Sequence, residues 1–334
     1  MIIWETILNK IRIVCVLILF EVVSAYVSST LAQDVADLTI GEHFDGSLSG
    51  NGDALFYRIP VVEGQKIFVL LDKNDSFRSF LSIEEGGLPD KGSYLDLTDQ
   101  GVDLEVQATG YCYVRVELYQ SFSGDPSSGL FSITAHDENT FPKLNIGDTL
   151  SNQQLKWNGD AQWYQVPVQA GNKAFVLLDK NSRFRTYLSI EEGGLPDRSN
   201  YLDLTDQGVD LEGQATGYCY VRVELYQSYS GDPSSGIFRI SAHSENTFPT
   251  LNPGDTLSNQ QLKWNGDAKW YQVPLETGKK TFALLDKNSR FRTYLSIEEG
   301  GLPGRSSYLD LTDQGVDLEG QATGYCYVRV ELYQ

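Results

Sequence analysis

Three histidines, four cysteines and three adjacent glutamate pairs are the side chains of this sequence that could support bond-making chemistry. His136 and His243 occupy the same place in two copies of a repeated segment, and His43 stands apart from both. A nucleophile triad needs one base oriented against one Ser or Cys, so a base that recurs with each repeat does not suit it. The chain carries no G-x-S-x-G elbow, no H-E-x-x-H or C-x-x-C pattern and no Gly-rich phosphate loop. The pairs Glu84-Glu85, Glu191-Glu192 and Glu298-Glu299 invite comparison with glycosidases, which place two carboxyls across a cleft in different environments. Neighbours on a strand point to opposite faces, so each pair reads as a solvated strand end. Cys112, Cys219 and Cys326 occur once per repeat and cannot pair within a domain. Each falls on the apolar side of its strand, where a thiol is buried and inert. Cys15 lies in the N-terminal apolar segment. The expectation is a protein that is not an enzyme.

Binding chemistry is better represented. Tyr218, Tyr220 and Tyr226 surround Arg222 and Glu224 on one side of an alternating segment, and Tyr111, Tyr113 and Tyr119 are their counterparts in the preceding copy. Outward Tyr and Arg offer large contact area at low entropy cost, which makes this face a candidate ligand surface. The competing reading is that a loop or the lip of the sandwich covers it, or that the rings pair across strands. The net charge of -19 would repel a phosphate backbone, so nucleic acid is excluded as a partner. Asp and Asn cluster in the N-G-D-A turns and in Leu178-Asp179-Lys180-Asn181. Such residues form turns through their own side chains, or supply part of the six to eight oxygens that calcium requires. Both readings stand.

The elements that must position these residues repeat. LSIEEGGLP begins at Leu81, Leu188 and Leu295, YLDLTDQGVDLE at Tyr94, Tyr201 and Tyr308, and QATGYCYVRVELYQ at Gln107, Gln214 and Gln321, a period of 107 residues. A unit of this size is a domain rather than a solenoid turn. Within one copy the apolar residues alternate over short runs bounded by Gly, Asn, Asp and Ser: Ala161 to Val168, Tyr187 to Ile190, Tyr218 to Tyr226 and Ile237 to Ala242, with Ala174 to Leu178 continuously apolar. Cys219, Val221, Val223 and Leu225 face the core. No apolar pattern of helical period is present. The fold class is therefore all-β, three tandem antiparallel β-sandwich domains of jelly-roll-like form. The copies span residues 33–137, 138–244 and 245–334. After Gln120 and Gln227 a loop and a closing strand follow, SGDPSSGLFSITAH and SGDPSSGIFRISAH, while the third copy reaches Gln334 without that strand. A sandwich lacking one strand exposes an edge and part of its core. Residues 1–32 read as an export signal, with Lys10 and Arg12 before the apolar run Ile13 to Phe20 and a small-residue site at Thr30-Leu31-Ala32. The run is short for a membrane span, so the expected product is secreted, at the cell surface or outside it, with no membrane span once the signal is cleaved.

The order Asn158-Gly159-Asp160, Trp163-Tyr164, then Leu188 to Pro196, then Gly217 to Val223, resembles the bacterial pre-peptidase C-terminal domain, which is related to the collagen-binding domains of clostridial collagenases. The likeness covers nearly all of the chain after the signal. It implies an accessory domain that serves export, stability or substrate attachment. It also implies calcium as the one candidate cofactor, at the domain's N-terminal linker. The matching positions here are Glu138 and Asn139, with Glu245 and Asn246 before the third copy, and Asp160 and Asp267 are the nearby acidic residues. The expected function is weak multivalent attachment to an extracellular protein or polysaccharide, since linked copies raise effective concentration. The alternative is the non-catalytic part of a larger secreted peptidase or other hydrolase whose catalytic domain lies outside this chain.

Overall fold

The computed structural model describes residues 34–73, 77–89, 100–120, 125–196, 207–226, 233–264, 266–287, 292–303 and 315–333. The export signal with Cys15, and the YLDLTD stretches at Tyr94, Tyr201 and Tyr308, lie outside these residues. Every regular element described is a strand. The first copy contains β1 (Val35–Asp37), β2 (His43–Leu48), β3 (Ala54–Val61), β4 (Lys66–Lys73), β5 (Arg78–Glu85), β6 (Gly101–Glu105), β7 (Gly110–Tyr119) and β8 (Gly129–His136). The second contains β9 (Thr149–Leu155), β10 (Ala161–Val168), β11 (Lys173–Lys180), β12 (Arg185–Glu192), β13 (Gly208–Glu212), β14 (Gly217–Tyr226) and β15 (Gly236–His243). The third contains β16 (Ala268–Leu275), β17 (Lys280–Leu284), β18 (Arg292–Glu299), β19 (Gly315–Glu319) and β20 (Gly324–Tyr333).

The predicted segments are all strands, several longer by one or two residues than the apolar run that marks them. Lys173, Asp179 and Lys180 extend β11 because the ladder is made by backbone groups, whatever the side chain: Lys173 pairs with Glu212, and Lys180 with Phe238. In each of the first two copies one sheet has the long strand at its centre, β1-β3-β7-β5 and β10-β14-β12. The other places the closing strand in its interior, β2-β8-β4-β6 and β13-β11-β15-β9. The two sheets face each other over a core that belongs to one copy. In the second copy Cys219, Val221, Val223 and Leu225 of β14, all at 0%, meet Val176, Phe238, Ile240 and Ala242 of the opposite sheet. The first copy reproduces this with Cys112, Val114, Val116 and Leu118 against Val69, Phe131, Ile133 and Ala135.

Local chemistry closes the turns. At the N-G-D turn the Asp160 carboxylate accepts from Lys156 N at 2.6 Å, and Gly159 adopts φ 91° while donating to Leu225 O. A side chain would be strained there, which accounts for the glycine. Gly236 opens the closing strand for a different reason: a Cβ at that site would lie 2.2 Å from the Phe184 ring.

Candidate functional site

The chemistry-bearing residues gather where one copy meets the next. The face of β4 that points away from its own core carries Phe68, and the equivalent face of β11 carries Phe175; both are 0% exposed. Each is covered by the following copy. Phe68 packs on Phe141 (ring centroids 4.8 Å apart) and Tyr220 (4.7 Å), and Trp163 joins this cluster. Phe175 packs on Phe248 (4.8 Å) and Tyr327 (4.9 Å), with Trp270 in the corresponding place. Phe141 meets Tyr220 edge-on at 85°, and Phe248 meets Tyr327 at 89°. Edge-to-face contacts of this kind add to the apolar burial itself.

Polar clasps fix the orientation. The Gln100 side chain donates to Gly159 O at 2.9 Å and accepts from Ala161 N at 3.0 Å. Gln207 makes the same pair of bonds to Gly266 O (2.9 Å) and Ala268 N (3.1 Å). Asp103 accepts from Leu195 N, and Asp210 from Leu302 N. Lys66 pairs with Asp103 at 3.1 Å and donates to Gly193 O. Beneath the aromatic layer lies a buried ion pair. Arg222 is 1% and Glu224 0% exposed, their closest atoms 2.5 Å apart, with the guanidinium 4.8 Å from the centre of the Trp163 ring. Arg329, Glu331 and Trp270 repeat the arrangement.

This placement changes the reading of the tyrosine-arginine face. Tyr220 and Arg222 do not look out on solvent; the preceding copy packs over Tyr220, and Trp163 lies over Arg222. Tyr218 is half-buried at the rim of the same joint. In the first copy Tyr111 is 44% exposed and lies under Arg58, while Tyr113 is half-buried. Tyr119 and Tyr226 lie outside the joint clusters and are half-buried. Each packs at a tilt of 58° on a neighbouring strand's ring, Tyr119 on Phe80 at 5.0 Å and Tyr226 on Tyr187 at 4.9 Å.

The acidic candidates do not converge. Among the described residues no three His, Cys, Asp or Glu side chains stand together as metal ligands would. Glu138 and Asn139 are exposed in a turn held by the Asp137 carboxylate, which accepts from Asn139 N and Thr140 N. Glu138 and Glu245 contribute backbone carbonyls to Gln165 and Gln272. Asn246 is exposed. Asp267 repeats the turn of Asp160, accepting from Lys263 N at 2.7 Å. The second glutamate of each pair also has a turn to hold: Glu85, Glu192 and Glu299 each accept two backbone N–H groups, as Glu192 does from Gln214 (2.8 Å) and Ala215 (2.7 Å). The Cys112, Cys219 and Cys326 thiols are buried, and burial pushes Cys219 up to about 12. A thiol held that high is not a nucleophile at neutral pH.

Burial also acts on Asp160, which is 4% exposed and pushed up to about 6 from an ordinary value of 3.8. A carboxyl whose pKa is raised by folding gives stability that is present at acid pH and lost as pH rises through the folded value. Between pH 4 and pH 8, the stability of Asp160→Asn relative to the parent should therefore improve by roughly 1–3 kcal/mol. His136 and His243, both lowered by burial, act in the opposite sense below their ordinary value of 6.5. They are common to both proteins and cancel in the difference, which denaturant titration at the two pH values measures. A gap independent of pH would show that Asp160 is ionised throughout.

Sequence reasoning did not single out Gln100, Gln207, Asp103, Asp210, Phe141 or Phe248. The signal that could have found them is the continuous apolar run at β11, where Phe175 and Leu177 alternate with Ala174, Val176 and Leu178. A strand apolar on both faces is covered on both faces.

Comparison with protein-family models finds no match, and comparison with curated proteins finds none. Among solved structures, the chain is similar to PliG of Aeromonas hydrophila, a periplasmic inhibitor of g-type lysozyme, at 15% identity over 32% of this chain and 99% of that one, with a TM-score of 0.26. It is similar to the pre-peptidase C-terminal domain of a Bacillus anthracis collagenase at 13% identity, with the same coverage and TM-score. The CUB1-EGF-CUB2 region of rat MASP-1 matches at 7% identity over 63% of this chain and 100% of that one, TM-score 0.20. At this level of likeness, function must be argued from the residues of this chain.

Proposed function

We propose that this protein is a secreted, non-catalytic array that attaches weakly and repeatedly to an extracellular protein or polysaccharide. The observation that carries the reading is the half-exposed aromatic pair at the same place in two copies, Phe80 with Tyr119 and Tyr187 with Tyr226. Tyr220 is covered at the joint and Arg222 by Trp163, so these pairs and the exposed Tyr111 serve as the aromatic contact surface of the long strands. Each pair, its rings inclined at 58°, presents an apolar area with a polar tip, the usual composition of a contact anchor. The clasped joints hold successive pairs at a fixed separation, which raises effective concentration on a polymer of repeating chemistry.

The test is retention of the full chain on insoluble cellulose, chitin and gelatin, comparing the parent with Tyr119→Ala, Tyr226→Ala and the double variant. Each single change is expected to weaken binding to one of these polymers several-fold, and the double change by more than tenfold. If no polymer retains the parent, or if the double variant binds as the parent does, the reading fails. Calcium at the linker residues Glu138 and Asn139, and Glu245 and Asn246, is a separate proposal, since the Asp160 and Asp267 carboxylates are turned into their own turns. An ion bound to the folded state raises the melting temperature by mass action, so equal melting in calcium and in chelator removes it.

A further inference from the structure

A cleft of about 330 Å³ opens beside the aromatic cluster that joins the first and second copies. The first copy lines it with Leu70, Asp72, Thr134 and His136, which have the opposite parity to the core residues of β4 and β8. Leu70 and Thr134 face each other across that pair of strands. The second copy supplies Gln153 and Gln154 of β9, and Gln162, Trp163 and Tyr164 of β10. Lys156 reaches from the second copy to Asp72 of the first at 3.4 Å, also on the lining. At ~30 Å³ per water the cleft has room for about ten, far more than a structural water needs and at the lower end of small-ligand sites.

The polar groups of the lining are incompletely paired among the described residues. The Tyr164 hydroxyl stands 3.1 Å from Gln153 Oε1 and 2.6 Å from Gln162 Oε1, while the amide N–H groups of both glutamines donate to backbone carbonyls, Ser151 O and Gln154 O. One phenolic proton serves one acceptor, so an amide oxygen is left without a donor. Trp163 is 5% exposed, and its Nε1 has no hydrogen-bond partner; Trp270 Nε1 repeats this at the second joint. His136, which burial holds neutral, donates from Nδ1 to Thr140 O at 3.0 Å, and its lone pair is on Nε2. In the second copy the same lone pair accepts from a hydroxyl, Ser241 Oγ, at 3.0 Å. We propose that this cleft binds a short segment of a neutral saccharide. Sugar hydroxyls both donate and accept, so one ring can give protons to the glutamine oxygen and to His136 Nε2 while it accepts from Trp163 Nε1. The Asp72 and Asp160 carboxyls on the lining and the net charge of -19 disfavour an anionic glycan. The site shares no residue with the pairs Phe80–Tyr119 and Tyr187–Tyr226 and does not rest on their role.

The experiment titrates the full chain with soluble cellohexaose, N-acetylchitohexaose and xylohexaose and follows the indole N–H resonances of the tryptophans, with calorimetry for affinity. At least one of the three is expected to shift the Trp163 resonance saturably. Trp163→Phe keeps a ring and removes the donor, and should weaken that binding about three- to tenfold, the worth of one hydrogen bond. Gln154 is exposed at the cleft, so Gln154→Trp leaves the fold alone and blocks the opening; it should weaken binding at least tenfold. The double variant Tyr119→Ala with Tyr226→Ala should bind the soluble sugar as the parent does, whatever becomes of its retention on insoluble polymers. The proposal is overturned if none of the three sugars shifts Trp163, if Gln154→Trp binds as the parent does, or if the tyrosine double variant loses the shift.

Discussion

Glu224→Ala is expected to lower the stability of the second copy by about 3–5 kcal/mol, among the largest effects of any single change in the chain. Its effect follows from where it sits: with Glu224 at 0% and Arg222 at 1% exposure, water cannot replace the lost carboxylate. The guanidinium left behind keeps the Trp163 ring but loses a buried anion that offsets its desolvation. Amide exchange across β14 measures the loss without requiring the whole chain to unfold as one unit. The double change Arg222→Met with Glu224→Leu should restore most of it, because removing both charges removes the penalty. A loss below about 1 kcal/mol for the single change would mean that the pair is solvated in solution.

The second large effect concerns the third copy. The amides of β18 and β20 are expected to exchange at least a hundredfold faster than those of β12 and β14, although the sequences are nearly the same. Among the described residues the buried core of the third copy comprises Val273, Leu275, Ala283, Leu295, Val316, Cys326 and Val328. The second copy adds to such a set Phe238, Ile240, Ala242, Leu155 and Phe184, among others. Each fully buried apolar side chain contributes about 1.5–3 kcal/mol, so a difference of about 3 kcal/mol between the copies is a conservative expectation. Equal protection in the two would show that the third core is packed as well as the second.

Much of this architecture is legible in the sequence, and the reason is the period. Alternation assigns Cys219, Val221, Val223 and Leu225 to the core with no further information, because a one-residue error would turn all four to the outside. The opposite parity of the same strand is where pattern alone misleads. Tyr220, Arg222 and Glu224 are polar or amphipathic and read as a solvent face, yet the structure buries them. Burial of Tyr220 depends on Phe68 of the preceding copy, and that of Arg222 on Trp163 of the neighbouring strand; nothing local to β14 encodes either. Polar edge strands are the second blind spot. Thr149–Leu155 has no apolar alternation worth the name, and it is a strand because β15 offers it a ladder. Among the described residues its counterpart in the third copy, 256–263, has no such partner and is not a strand.

The joints have unlike halves. One surface offers Phe68 or Phe175 with a glutamine clasp; the other offers Trp163 or Trp270 with a tyrosine and the N-G-D turn. Because the two joints use the same atoms, a single operation carries the first copy onto the second and the second onto the third. Such a contact is heterologous, unlike the self-matching patch of a two-fold interface. It gives the array a direction, and it lets a gene lengthen that array one unit at a time without altering any surface already in use.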